Sequence, residues 1–310
     1  MTIVYVRFPL RSAAPRERAP LLERLLARAT RLPRGISGAG HWREDALQLL
    51  GVPRTPAPNL APLALLADVG PVPGAWALLA TPVHCAATMT SVRLSPAGIL
   101  PLDAAAASAL AGDFQRVFPH SPQRLIAGRS GALFTVFAAP LTVHTRDPSD
   151  ALDQDVWDFL PSGADAAALR RLMSEIELWL FDHEINRARQ ARTLAPITGL
   201  WLWGGGAPLR ALPALVGWTA GTDAFFGALP LHGAANRGTG SGVVVVADAP
   251  GTTGWREAEA RWLRPALRDL AGRRIDAIEL SAGERCFRVD PGWRWHVWRR
   301  TRPWWEWFES

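Results

Sequence analysis

A run of four valines, Val243 to Val246, is followed by a helix-patterned segment from about Trp255 to Ala271 and then by a second apolar stretch, Ile275 to Leu280. This succession limits the possible folds more than any other part of the chain. Short unbroken apolar runs suit strands buried on both faces, and a strand–helix–strand unit pairs its strands in parallel through a right-handed crossover. The expected class is α/β, a mostly parallel sheet flanked by helices. With 310 residues, 48% hydrophobic and 20% charged, the chain can bury a large core and is too apolar for general disorder.

All 34 residues in the Lys+Arg count are arginine. A chain without lysine has no Walker-type phosphate loop, no Schiff-base lysine, no Ser-Lys dyad and no kinase strand lysine. The net charge of +6 is modest and the arginines are spread along the chain, so nucleic acid is not the expected partner. Cys85 and Cys286 stand alone, which supports neither a disulfide framework nor a cysteine zinc site and suits a reducing cytoplasm. Thr2 to Phe8 reads as a first strand, not a signal peptide, and the apolar stretch Leu60 to Met89 is broken by Asp68 and four prolines, so no transmembrane segment is expected.

Further elements follow from periodicity. Leu21, Leu22, Leu25 and Leu26 form one face of a helix within Arg16 to Arg31, and Arg43 to Leu50 suits a short helix. Strands are expected at Ala75 to Ala80, Ser91 to Leu94 and Ala132 to Phe137, with a helix from Asp103 to Val117. The Pro-rich Pro53 to Pro58 reads as a turn, whereas Pro140 to Asp158 is the better junction, giving an N-terminal lobe over 1–155 and a C-terminal lobe over 156–310 or one continuous domain. One long helix, capped by Ser162 or Asp165, is expected from Ala166 to Ala191, ahead of a strand Gly199 to Trp203 and a Gly204–Gly206 loop.

No two of the seven histidines lie close enough for a local zinc motif, and no serine has the spacing of a nucleophile elbow. The densest polar group, Asp182 to Arg189, allows two readings: an anion site using His183, Asn186 and Arg187, which share one face, or a helix end held against the next strand, with arginines at its negative pole and His183 bonded to a carbonyl. The Gly204–Gly206 loop could offer backbone N–H groups to a phosphate but lacks a G-x-G-x-x-G continuation. Six of the fifteen tryptophans fall within the last eighteen residues, which allows a core-covering strand, a partner or membrane-surface patch, or a base-stacking patch. Trp293 and Trp295 are expected to be buried on such a strand, and the aromatics after Pro303 to form an exposed patch for a protein partner or a second copy of the chain.

The segment Leu169 to Gly206 resembles the signature of RpfE-type regulatory proteins, a phosphoglycerate-mutase-like family in which a helix ending H-x-[IV]-N-x-x-R leads to a Pro, an Asn and W-x-W-G-x-G. His183, Ile185, Asn186, Arg189, Pro196, Trp201, Trp203, Gly204 and Gly206 match, while Thr198 replaces the Asn. Thr81-Pro82-Val83-His84, Pro122 with Arg124, and Trp293 to Arg300 resemble other parts of that family. The central motif is also similar to one in archaeal-type cofactor-independent phosphoglycerate mutases, of the alkaline phosphatase superfamily.

The resemblance implies a reduced alkaline-phosphatase-like core. It also implies ligand-binding roles for His183, Asn186, Arg189, Trp201, Trp203, Gly204, Gly206 and His84, with a small phosphorylated molecule as the ligand and His183, Asn186 and Arg189 converging on the glycine loop. Those mutases move phosphate with two divalent metals held by Asp and His, including an Asp-Gly after the first strand, whereas Phe8-Pro9-Leu10 follows it here and Ile278 to Ser281 leads to no Asp-His pair. The expectation is a pseudoenzyme with no cofactor and a regulatory or binding role. The alternative is an active mutase or phosphatase whose remodelled site holds Mn or Zn.

Overall fold

The computed structural model describes residues 1–8, 17–32, 42–53, 59–74, 76–231, 240–246, 258–283, 285–295 and 300–309. The chain divides into two compact units, one of Met1–Ala57, Pro213–Phe226 and Leu231–Ser310, the other of Pro58–Leu212 and Gly227–Pro230. This division cuts across the lobes read from the sequence. The chain leaves the first unit after Ala57, within the Pro-rich stretch taken only as a turn, while Pro140 to Asp158 lies inside the second unit.

The first unit is built on a six-stranded sheet in the order β2-β11-β10-β1-β9-β8. Its strands are β1 (Ile3–Arg7), β2 (Thr30–Arg31), β8 (Trp218–Gly221), β9 (Gly242–Val245), β10 (Ala277–Ala282) and β11 (Arg285–Val289). Its helices are α1 (Pro20–Arg28), α2 (Trp42–Leu49), the short α7 (Ala224–Ala228) after β8, α8 (Arg264–Ala271), which continues a π turn at Glu259–Leu263, and α9 (Trp304–Glu309). The β9-helix-β10 succession is present, but β1 lies between its two strands and pairs in parallel with both, Val4 facing Gly242 on one side and Ile278 on the other. All five residues of β1 are buried, as a central parallel strand requires.

Val4, Val6 and Phe8 point from β1 into a core with the leucines of α1, Leu263 and Leu270 beside α8, and Ile278 and Leu280 of β10. A buried carboxylate joins these helices: Glu259 accepts from the N–H groups of Leu21 at 2.8 Å and Leu22 at 2.9 Å, satisfying the otherwise orphan donors at the start of α1. The C-terminal aromatics complete the same core. Trp293 stays buried as expected, although Pro291–Trp295 forms a 3-10 turn instead of a strand, and 296–299 lie outside the described residues. The exposed patch expected after Pro303 is corrected: α9 places Trp304 and Phe308 one turn apart and buries both, with Trp305 and Trp307 packed beside them.

The second unit holds an entirely antiparallel sheet, so the parallel reading applies to the first unit only. Its central strand is β3 (Trp76–Ala87); β7 (Gly199–Gly206) runs along one side of it, and β6 (Leu133–Phe137) and β4 (Val92–Ile99) take successive stretches of the other, with β5 (Gln123–Ala127) outside β6. The helices are α3 (Leu60–Asp68), α4 (Ala104–Val117), capped by Asp103, α5 (Ala166–Phe181) and α6 (Glu184–Ala191). Leu78, Ala80, Leu200 and Leu202 face Leu110 and Phe114 of α4 and Leu172, Ile176 and Leu180 of α5. The single long helix expected over 166–191 is two helices. His183 is extended at φ −74°, ψ 145° and caps α6, with its Nδ1 accepting the Ile185 N–H at 3.1 Å.

Candidate functional site

The motif residues of the second unit meet around four consecutive residues leading into β7. Arg189 Nε donates to the Ala195 carbonyl at 2.7 Å, His84 Nδ1 lies 2.9 Å from the Pro196 carbonyl oxygen, and Asn186 both accepts from Ile197 N–H at 2.7 Å and donates to its carbonyl at 2.8 Å. The second N–H of the Asn186 amide reaches Leu180 O, which ties the end of α5 to the same point. Thr198, in the place of the expected Asn, performs both hydrogen-bonding roles itself: its hydroxyl accepts from Cys85 N–H at 2.7 Å and donates to Val83 O at 3.2 Å. Asn186 is only 3% exposed. These side chains are engaged with backbone and form a clamp that seats residues 195–198 against β3.

His183 also has both ring nitrogens engaged. With Nδ1 accepting the cap bond, the proton sits on Nε2, which lies 3.2 Å from Asp113 Oδ2, while Asp113 also pairs with Arg116. Burial lowers its pKa below the ordinary histidine value, with Arg116 acting in the same direction and Glu184 opposing. A neutral imidazole with two partners is a structural cap with no nitrogen left to ligate or to move a substrate's proton.

The expected convergence of His183, Asn186 and Arg189 with the glycines does not occur. Ile197 and Gly204 lie seven residues apart along extended chain, roughly 23 Å at about 3.3 Å per residue. Gly204 to Gly206 are not a loop: β7 continues through them, Gly206 pairs with Ala77, and a bulge between the Ala77 and Leu79 pairings is accommodated by Gly204 at φ +69°. A side chain at Gly206 would meet Asn59 within 2.4 Å of its Cβ, so close packing explains that glycine. Trp201 and Trp203 alternate with the core leucines and are buried on the other face of β7, donating to Arg146 O at 2.9 Å and Thr81 Oγ1 at 2.8 Å.

A second group, absent from the sequence expectations, lies at the carboxyl end of the parallel strands of the first unit. In open α/β sheets this is the edge at which ligands bind. Period-two alternation turns Val4, Val6 and Phe8 into the core and Tyr5 and Arg7 to the opposite face, with Ser281 beside Arg7 on β10. Arg7 is 9% exposed, and its Nη1 donates to Ser281 Oγ at 3.0 Å and to Gly283 O at 3.1 Å. Its guanidinium carbon lies 4.1 Å from the ring centre of Trp42, and that of Arg43 lies 4.2 Å from the same ring. Arg43 is paired with Asp223, its Nη1 at 2.8 and 2.9 Å from the two carboxylate oxygens. No carboxylate among the described residues pairs with Arg7.

Burial shifts three further titratable groups of this face, and the charge of Asp45 acts on two of them. Burial pushes the Tyr5 phenol up to about 12 against the opposing pull of Arg7, and burial together with Glu279 takes the Cys286 thiol to about 12. The Glu279 carboxyl is itself raised by burial, and Arg288, 3.7 Å away, counters the shift. The legible signal for this site was one charged residue at the end of an otherwise apolar buried strand.

No family model matches the chain. Over 66 residues, 21% of this chain, it is 38% identical to the 2,3-bisphosphoglycerate-independent phosphoglycerate mutase 2 of Methanothermobacter thermautotrophicus, and the match spans 16% of that relative's length. Among solved structures, it is similar to a cofactor-independent phosphoglycerate mutase from Thermoplasma acidophilum (15% identity, TM-score 0.38, 94% of this chain and 90% of that one). A protein from Pyrococcus horikoshii has a TM-score of 0.39 at 11% identity, over 97% of this chain and 90% of that one.

Proposed function

We propose that the chain is a phosphoglycerate-mutase-like protein of the RpfE type, built on a reduced alkaline-phosphatase-like core, that binds a small ligand in a regulatory role without two-metal phosphotransfer. The motif from His183 to Gly206 and the 38% identity over 66 residues support the kinship. The role rests on a single observation, the carboxyl end of β1. Where the resemblance implies a carboxylate ligand for divalent cations just after the first strand, Phe8-Pro9 stand instead, and the strand itself ends in the buried guanidinium of Arg7. A fixed positive charge repels Mn or Zn, and among the described residues no three His, Cys, Asp or Glu side chains gather to hold one. Among the described residues, that end of the strand offers no donor set for two divalent cations. No described helix is long and apolar enough to cross a membrane, and the unpaired Cys85 and Cys286 suit a cytoplasmic setting.

Metal analysis of protein purified without chelator, paired with a phosphoglycerate-isomerising and phosphatase assay in added Mn, tests this reading. The expected result is substoichiometric metal and no metal-dependent turnover. A bound pair of Mn or Zn ions with turnover that a chelator abolishes would establish the enzyme alternative.

A further inference from the structure

We propose that the outward face of α5 is a self-association surface on which a second copy of this chain lays the same helix antiparallel, Phe181 of each copy against Ala167 of the other about a two-fold axis at Ser174. This pairing is independent of the binding role above and stands or falls apart from it.

Leu178 and Phe181 lie one turn apart on α5 and are 76% and 87% exposed, whereas Leu169, Leu172, Ile176 and Leu180 bury the opposite face in the core of the second unit. A lone exposed leucine is ordinary on a protein surface, but a leucine and a phenylalanine side by side on one helix form an uncovered apolar patch. They also belong to a pattern. The exposed residues Ala167, Arg171, Ser174, Leu178 and Phe181 recur at alternating steps of four and three, the spacing of a helix-to-helix seam. Two antiparallel copies centred on Ser174 set the large Phe181 over the small Ala167, and Leu178 over the stem of Arg171, whose Nε donates to Glu175 of its own helix at 3.1 Å. A parallel pairing would instead crowd Phe181 against Phe181 and leave Ala167 facing Ala167. Charge agrees with the reversed arrangement. Exposed Arg170 and Glu177 lie seven residues apart on one flank of the seam and exchange places under the same axis, so each arginine, steadied by its Nη1 bond to Pro161 O at 2.9 Å, meets the other copy's glutamate. A surface whose sizes and charges both answer themselves under a two-fold fits a second copy of this chain. Sixteen residues make a seam about 24 Å long, at the small end of specific interfaces, so the expected dissociation constant is of order 10 μM.

Sedimentation equilibrium of the full chain, from low to high micromolar concentration, tests the surface. A reversible monomer–dimer equilibrium is expected, weakened at least tenfold by Leu178→Asp or Phe181→Asp. Both side chains are exposed, so these variants should keep the fold, with thermal unfolding as the check. Arg170→Glu and Glu177→Arg should each weaken association, and the two together in one chain should restore it. Neither a merely sticky patch, nor a surface built for an unrelated protein or for lipid, would show that rescue. A monomer throughout the concentration range, a dimer indifferent to the two apolar substitutions, or a folded double charge reversal that stays as weak as its singles would each overturn the pairing.

Discussion

Asn186 uses both amide hydrogens and its oxygen on three backbone groups, Leu180 O, Ile197 O and Ile197 N–H, and is buried while doing so. Replacing it with alanine leaves those groups desolvated and unpaired, each at a cost of order 1–3 kcal/mol before relaxation. Asn186→Ala is therefore expected to lower unfolding stability by about 2–4 kcal/mol, read by chemical denaturation. Arg187→Ala is the control. Arg187 pairs with Asp182 on the surface, where the two side chains are 66% and 80% exposed, and removing a solvent-screened ion pair of that kind should leave stability nearly unchanged. Equal effects of the two substitutions would refute the clamp. The identity of these residues was legible from the motif, and a helix end held against the next strand was one of the readings it allowed, but the partners were not: spacing shows which side chains share a helix turn, whereas Arg189 and Asn186 act on carbonyls across a reversal of the chain and His84 acts from a strand 112 positions away from Pro196.

The break between α5 and α6 shows how one polar side chain overrides a helical pattern. The leucine stripe ends at Leu180, but 166–191 holds no proline or glycine to mark a stop, so the sequence pattern predicts one helix, yet His183 takes an extended conformation and caps the second helix with its own ring. That cap requires an unprotonated Nδ1. Because burial depresses the folded-state pKa, the unfolded chain takes up the proton first as pH falls. The stability contributed by neutral His183 is then whole above the ordinary value of 6.5 and is lost as pH drops through the lower folded value. A wild-type chain is expected to lose stability on acidification in that window, and His183→Asn, which keeps a capping acceptor but does not titrate there, to lose less. Identical acid profiles for the two would refute the assignment. Two elements lacked a periodic signal altogether: α3 is apolar nearly all round, and β5, Gln123–Ala127, is a short strand paired only with β6.

The two units interleave along the chain because β1 is completed by strands more than two hundred residues downstream, so its pairing appears in no local window. The tryptophan tail depends on the same long-range assembly. Trp304 is 1% exposed, donates Nε1–H to Glu17 O at 3.0 Å, and packs with Phe308 in the core around β1, β10 and α1. Trp304→Ala is expected to cost about 3–5 kcal/mol, a large share of the net stability of a domain, and truncation after Arg302 to give a misfolded first unit, measured by thermal unfolding and solubility. A stable truncated product would return these aromatics to the surface role expected from the sequence.

From local order, the sequence by itself determined the α/β class, the strand β1, the buried β9, the amphipathic α1 and the helix α4, because side-chain period acts over a few residues. It also carried the motif that resembles one in the phosphoglycerate-mutase-like proteins. Only the tertiary structure decided that β1 separates β9 from β10, that the motif is a backbone clamp, that the glycines belong to a strand, and that Arg7 meets Trp42 and Ser281 at the end of the sheet. Each of these depends on which distant backbone groups or side chains a residue reaches once the core closes, and burial and partner geometry then determine whether a polar side chain serves as cap, clamp or ligand donor.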